Sequence, residues 1–143
     1  MSKKVYQVGN LRLHYILRNR EDTNIHPLVW VIKDRICEKE GLEYYDQEPT
    51  LMDFLAIIPK NGYIQKHTDR NVKELLHTRF NVFINVPKEG TMNTYYADTL
   101  VDAKNGSYVL SRSGIDEHWT EINTSNESRI ALSFGYLFPC LLY

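Results

Sequence analysis

Three residues of the chain have the types and spacing to hold a metal ion. In the run Gln65-Lys66-His67-Thr68-Asp69, His67 and Asp69 stand two apart. On an extended backbone residues i and i+2 point the same way, so an imidazole and a carboxylate would face one point while Thr68 faces away. A nitrogen and an oxygen donor side by side suit a divalent transition metal. His118, at the start of a strand-like stretch late in the chain, supplies the third donor. Two histidines and one carboxylate form a facial triad, which leaves three adjacent coordination positions for a bidentate co-substrate and O₂. A zinc hydrolase can use the same three ligands. A His–Asp hydrogen bond near a turn, with no metal at all, also accounts for His67 and Asp69.

Arg129 lies eleven residues after His118 and opens the apolar run Ile130-Ala131-Leu132-Ser133-Phe134-Gly135-Tyr136. An arginine pointing into a core needs an anion, because a buried unpaired charge is costly. Its planar fork fits a carboxylate through two hydrogen bonds. The competing role for Arg129 is an exposed or ion-paired strand residue. Ser133 shares its strand face. Tyr63, four residues before His67, would share the face of the ligands on a regular strand. Arg79, Asn81 and Asn85 alternate with apolar residues, either on an inward face or in solvent. Trp119 beside His118 is a candidate to touch substrate or back the ligands, with packing as the alternative. Tyr95-Tyr96 reads as strand filling or a substrate rim. His14, His26 and His77 have no partner at ligand spacing and are expected on the surface.

In order and spacing, His67-x-Asp69, His118 and Arg129 resemble the 2-oxoglutarate/iron(II) oxygenases. The closer likeness is to the aspartyl/asparaginyl β-hydroxylase-like branch. That branch follows His-x-Asp with an Arg-led apolar strand ending in proline, here Arg79 to Pro87. Its distal histidine is followed by Asn and a hydroxyl residue before the late arginine, here His118, Asn123, Thr124 and Arg129. The likeness spans about residues 62–139. Two positions depart from it: Asn81 stands where the branch usually has histidine, and Ala131 where many relatives have serine. The resemblance implies iron(II) on His67, Asp69 and His118, with O₂ as oxidant and 2-oxoglutarate as co-substrate. It implies Arg129 on the far carboxylate of 2-oxoglutarate, with Ser133, Tyr63 and Arg79 as further contacts. Asn81, Asn85 and Trp119 would face the substrate or support the site. The expected outcome is hydroxylation of an amino-acid side chain, free or in a peptide. Two readings stay beside it: a cupin-type metal hydrolase or isomerase that does not use 2-oxoglutarate, and a non-enzymatic jelly-roll binding module.

The elements that must position these residues are mostly strands. Residues 5–8 and 11–17 alternate around the turn signal Gly9-Asn10 and read as a hairpin. Residues 27–40 read as one helix, with Pro27 at its first position, Gly41 past its end, and Leu28, Val31, Ile32 and Ile36 on one face. Segments 51–58, 63–67, 78–86, 94–97, 107–110, 118–122 and 129–138 read as strands separated by turns, among them Asn61-Gly62 and residues 87–90. This is a mainly β chain with a flanking helix, and short strands at regular spacing point to a double-stranded β-helix, or jelly roll, of cupin type. We expect a single oxygenase domain, with residues 1–50 as a supporting hairpin and helix and 51–143 as the jelly-roll core.

Composition excludes several alternatives. The 143 residues carry a net charge of -1 with a pI of about 6.5, and no Lys/Arg block offers a footprint for duplex nucleic acid. Nucleic acid is therefore set aside as a partner in favour of an amino acid, a peptide or another small molecule. The N-terminal MSKKVYQVGN lacks the apolar stretch of a signal peptide. No segment approaches the roughly 20 apolar residues of a membrane span. Cys37 and Cys140 read as small apolar residues in a reducing compartment, and a cytoplasmic location is expected.

Overall fold

The computed structural model describes residues 5–8, 11–89 and 92–139. The chain begins with a hairpin of β1 (Val5–Val8) and β2 (Arg12–Ile16), paired from Val5↔Tyr15 to Val8↔Arg12. Its expected turn at Gly9-Asn10 lies outside the described residues. The helix α1 (Leu28–Glu40) comes next. Pro27 sits one place before the helix as its cap. Gly41 ends it in a left-handed conformation at φ 64, with its N–H on the carbonyls of Cys37 and Glu38.

The remaining strands form two antiparallel sheets with the hairpin: β3 (Asp46–Gln47), β4 (Phe54–Ile58), β5 (Leu75–Asn85), β6 (Thr94–Tyr96), β7 (Thr99–Val101), β8 (Tyr108–Ser111), β9 (His118–Thr120) and β10 (Arg129–Pro139). The larger sheet has the order β1-β2-β4-β10-β5-β8, with β3 pairing the far end of β10; the smaller has the order β7-β6-β9. The two face each other as a jelly roll.

The central strands β5 and β10 of the larger sheet are buried on both faces along most of their length, and alternation divides the work between them. Phe80, Val82, Leu132 and Phe134 face outward and meet Val29, Trp30 and Ile36 of the helix, with Leu17, Ile25 and Leu42 around them. The rings of Phe80 and Phe134 stack with centroids 5.4 Å apart. Each such side chain contributes about 1.5–3 kcal/mol on burial. The opposite face carries Arg79, Asn81 and Phe83 on β5, and Ala131, Ser133 and Gly135 beside them on β10. Gly135 is forced by its neighbour: a Cβ there would lie 2.6 Å from Arg79 Nη1.

The helix presents a different face from the one its apolar spacing suggests. Leu28 and Val31 are exposed, while Val29, Trp30, Lys33 and Ile36 are buried. Lys33 reaches the core because it meets Asp53, which also accepts a hydrogen bond from Gln47 Nε2 at 2.7 Å. A buried ammonium is tolerated only when paired in this way.

Several strand limits also differ from the sequence pattern. The strand expected from residue 51 starts at Phe54, because the Glu48 carboxylate accepts the N–H groups of Thr50 and Leu51 and holds a turn there. β7 comes after a hairpin turn in which Ala97 and Asp98 both have positive φ; neither Ala nor Asp-Thr announces such a turn. Residues 63–67 form no strand: the chain bends at Lys66 and His67 makes an isolated bridge to His118. Among the described residues no helix is long and apolar enough to cross a membrane.

Candidate metal centre

Backbone pairing brings the three ligands together. His67 and His118 form an antiparallel bridge in which each N–H donates to the other's carbonyl, at 3.2 and 2.9 Å. Directly opposed residues of such a pair point their side chains to the same side. Asp69, two residues beyond His67, is anchored by its N–H on Ser113 O at 2.7 Å. The ligand atoms of His67, Asp69 and His118 all lie within 4.8 Å of one another. His67 Nε2 is 3.3 Å from Asp69 Oδ1, and His118 Nε2 is 3.8 Å from Asp69 Oδ2.

The other ring nitrogens are engaged. His67 Nδ1 lies 2.6 Å from Gln65 O and His118 Nδ1 3.2 Å from Asp116 O, in each case the carbonyl two residues back. Carbonyls accept only, so each Nδ1 carries the proton and, in the neutral ring, each Nε2 turns a free lone pair toward the shared point. Asp69 and burial act differently on the two rings. The hydrogen bond to Asp69 raises the His67 pKa against the opposing effect of burial. Burial lowers that of His118, partly offset by Asp69. Burial alone would raise Asp69, but the His67 hydrogen bond and the charges of His118 and His67 outweigh it and hold the carboxylate low.

These ligands form one wall of a cavity of about 200 Å³ whose opposite wall is the inner face of the larger sheet. Pairing aligns His14, Ala56, Ala131 and Phe83 in one row across four strands, and Phe54, Ser133 and Asn81 in the next. The small side chains of Ala56 and Ala131 leave the space open.

Arg79 and Arg129 both line this cavity and are both at most 4% exposed. Arg79 is fully answered by the protein: its Nε donates to Ser133 Oγ at 2.8 Å, and its two terminal nitrogens meet Glu48, His77 Nε2 and the Met52 carbonyl. Arg129 is not. Its Nε is buried without a hydrogen-bond partner, it makes no ion pair among the described residues, and its guanidinium lies 5.1 Å over the Phe83 ring. Burial lowers the pKa of both arginines, and the titratable groups that act on Arg129 are Tyr96 and Arg12 rather than a carboxylate.

Of the other sequence candidates, Asn81 is inward and donates to Tyr96 Oη at 2.9 Å, and Tyr96 itself lines the cavity. Ser133 is on the wall with its hydroxyl taken by Arg79. Three candidates are not part of the cavity. The bend at Lys66 shifts the alternation, so Ile64 rather than Tyr63 reaches the ligands' side. A register shift at Ile130/Ala131 pairs Asn85 with Ile130, removing it from the face of Arg79; its amide donates to Ser128 O at 2.8 Å. Trp119 alternates away from His118 and stacks on Tyr95 at 5.1 Å, with Lys66 Nζ 4.3 Å from its ring.

Two histidines expected on the surface are buried. His14 stacks on Phe54 at 4.0 Å and lines the cavity, and His77 donates from Nδ1 to Arg70 O at 3.1 Å beneath Arg79. His26 is exposed as expected. Arg12 also lines the cavity, although its sequence context does not single it out. The only signal for it is the polar alternation Arg12-x-His14 in a strand otherwise read as support. Asn123 is fully buried and donates to Ile58 O and Glu127 O, fixing the loop that leads into Arg129.

No family model matches the chain, and no curated protein matches it. Solved structures do match in fold. A viral collagen prolyl hydroxylase from Paramecium bursaria Chlorella virus-1, in complex with 2-oxoglutarate, aligns with a TM-score of 0.66 at 15% identity, over 89% of this chain and 79% of that one. A Pseudomonas putida prolyl-4-hydroxylase aligns at 0.62 and 15% identity, over 94% and 77%. A predicted oxalate decarboxylase from Thermotoga maritima aligns at 0.52 and 13% identity, over 89% and 81%. The shared feature is the cupin-like jelly roll.

Proposed function

We propose that this chain is an iron(II)- and 2-oxoglutarate-dependent oxygenase of the aspartyl/asparaginyl β-hydroxylase-like kind, hydroxylating an amino-acid side chain, free or in a peptide. The observation that carries the reading is the pairing, in one cavity, of a His67–Asp69–His118 ligand set with a buried arginine that the protein leaves unanswered. Prolyl hydroxylases among the structures of similar fold support it.

The donor set fits iron(II): two neutral imidazoles and one carboxylate on one side of a point, with the other side open to the cavity. Bound there, iron(II) and 2-oxoglutarate would supply the activation of O₂ and the oxidation of a C–H bond. The protein supplies position and exclusion. The carbonyls of Gln65 and Asp116 hold both imidazoles in the tautomer that ligates. Arg129 would anchor the far carboxylate of 2-oxoglutarate through its fork. Phe54, Ile64 and the two alanines give that molecule a dry, narrow slot. Arg79, tied to Ser133 and Glu48, keeps the wall rigid instead of reaching for the anion. A metal hydrolase on the same ligands would give Arg129 no anion to meet.

The reading also treats the chain as one oxygenase domain working in the cytoplasm, where Cys37, a free thiol against Tyr136 Oη at 3.3 Å, stays reduced. The test is succinate release from 2-oxoglutarate by protein reconstituted with iron(II), against a panel of amino acids and peptides. His67→Ala and His118→Ala should abolish both turnover and bound metal while the fold persists. Full metal occupancy in those variants would overturn the reading.

A further inference from the structure

We propose that Arg12 recognises an oxyanionic group on the substrate, so that the substrate of this site is an acid bearing a carboxylate or a phosphate. This rests on the oxygenase reading above. Arg12 lies on β2, two strands from β10, and lines the same cavity as the ligands and Arg129. Its Nε is buried and has no hydrogen-bond partner, and it makes no ion pair among the described residues. An arginine held in this state stands ready for an anion from outside.

Its place differs from that of Arg129. The Arg12 charge bears on His14, His67 and His118, and Asp69 acts back on it. Arg129 feels Tyr96 and Arg12 and no ligand of the triad. Arg129 thus suits the remote end of the co-substrate, and Arg12 a group held close to the reacting position.

The charge balance points the same way. Arg79 and Glu48 cancel each other. Asp69 is then one negative charge against two positive ones, Arg12 and Arg129, the ligand imidazoles being neutral when they hold a metal. A divalent cation adds two more positive charges and 2-oxoglutarate removes two. One positive charge remains for the substrate to answer. The cavity is also smaller, at about 200 Å³, than the roughly 300–1,000 Å³ of ordinary ligand pockets. With 2-oxoglutarate inside, it admits a short acidic group rather than a bulky one.

The experiment is a calorimetric titration of zinc-loaded protein saturated with 2-oxoglutarate. The probes are N-acetyl-aspartate, its neutral diamide, and inorganic phosphate. Wild type should bind N-acetyl-aspartate or phosphate and not the diamide; which of the two binds names the oxyanion. Arg12→Gln should lose that binding tenfold or more, as expected for one charge-assisted contact. It should keep its 2-oxoglutarate affinity within about twofold of wild type. It should melt no lower than wild type without ligands, because the Arg12 Nε has no partner to lose. The inference is overturned if neither anion binds wild type, if both bind Arg12→Gln equally well, or if Arg12→Gln weakens 2-oxoglutarate as much as removing Arg129 does. Absence of 2-oxoglutarate binding by wild type would overturn the oxygenase reading itself, and this inference with it.

Discussion

Replacing Arg129 by leucine separates an anion-binding role from a structural one, because the two predict opposite changes. Arg129 is 4% exposed, its Nε has no partner, and its guanidinium lies over the face of Phe83 at 5.1 Å. Leucine forfeits that contact, worth about 0.5–2 kcal/mol. It also removes a desolvated, unpaired charge from the interior. The free protein should therefore unfold at equal or higher urea concentration than wild type. In the complex the balance reverses. Leucine would leave the far carboxylate of 2-oxoglutarate buried opposite an apolar side chain. Breaking a buried pair from one side costs about 3–5 kcal/mol, which at about 1.4 kcal/mol per decade is a loss of 10²-fold or more in affinity. Arg129→Lys keeps the charge without the fork and should fall between. Metal content should be unchanged. The assay is an anaerobic 2-oxoglutarate titration of the zinc-loaded proteins, beside urea denaturation of the free ones. A leucine variant that loses several kcal/mol of stability and keeps its 2-oxoglutarate affinity would refute the reasoning, since Arg129 would then be answered by the protein after all.

Three further outcomes rest on the same geometry. Burial, aided by the charges of Arg12 and Arg79, pushes His14 down from 6.5 to about 4. Folding therefore favours its neutral form, so stability is full above about 6.5 and falls as pH drops toward 4, by roughly 3 kcal/mol in all; His14→Phe should flatten that part of the urea-stability profile relative to wild type. Lys33→Ala should strand the Asp53 carboxylate in the core and cost about 3–5 kcal/mol, whereas the double variant Lys33→Met with Asp53→Leu should recover most of the loss in the same denaturation measurement. Gly135→Ala would place a Cβ 2.6 Å from Arg79 Nη1 and 3.0 Å from His77 Nε2; displacing them should lower stability by about 1–3 kcal/mol, and an unchanged melting temperature would show that Arg79 moves freely.

The ligand set was legible because its logic is local. His67 and Asp69 need only the alternation of an extended chain, and His118 and Arg129 stand at the starts of β9 and β10. The features that stayed hidden depend on pairing between distant segments. Lys33 is held inward by Asp53, twenty residues on; with Lys33 inside, the helix turns Leu28 and Val31 outward. His14 and Arg12 read as support because β4, which sets β2 against the cavity, lies some forty residues later. Asn85 and Tyr63 were lost to single-residue irregularities, a register shift and a bend, each of which flips the face presented by the neighbouring residues. The turn at Ala97-Asp98 carries no glycine and no asparagine, so β7 went unannounced.

The hairpin that looked like scaffolding is thus part of the site. β2 pairs β4, and β4 pairs β10, so the strand carrying Arg12 and His14 and the strand carrying Arg129 are held two places apart by backbone hydrogen bonds. Between them β4 offers Ala56 toward the cavity and Ile58, fully buried, beside Arg129. On strands two places apart, with Ala56 and Ile58 between them, the two cations can each take a carboxylate of their own. Flexible arginines at such a spacing would swing out to solvent, but these have their Nε atoms enclosed. The sheet therefore maintains two separate demands for negative charge on one wall, facing a single ligand set for a cation on the other. That division suits a reaction in which a co-substrate and an acidic substrate are bound side by side in front of one metal ion.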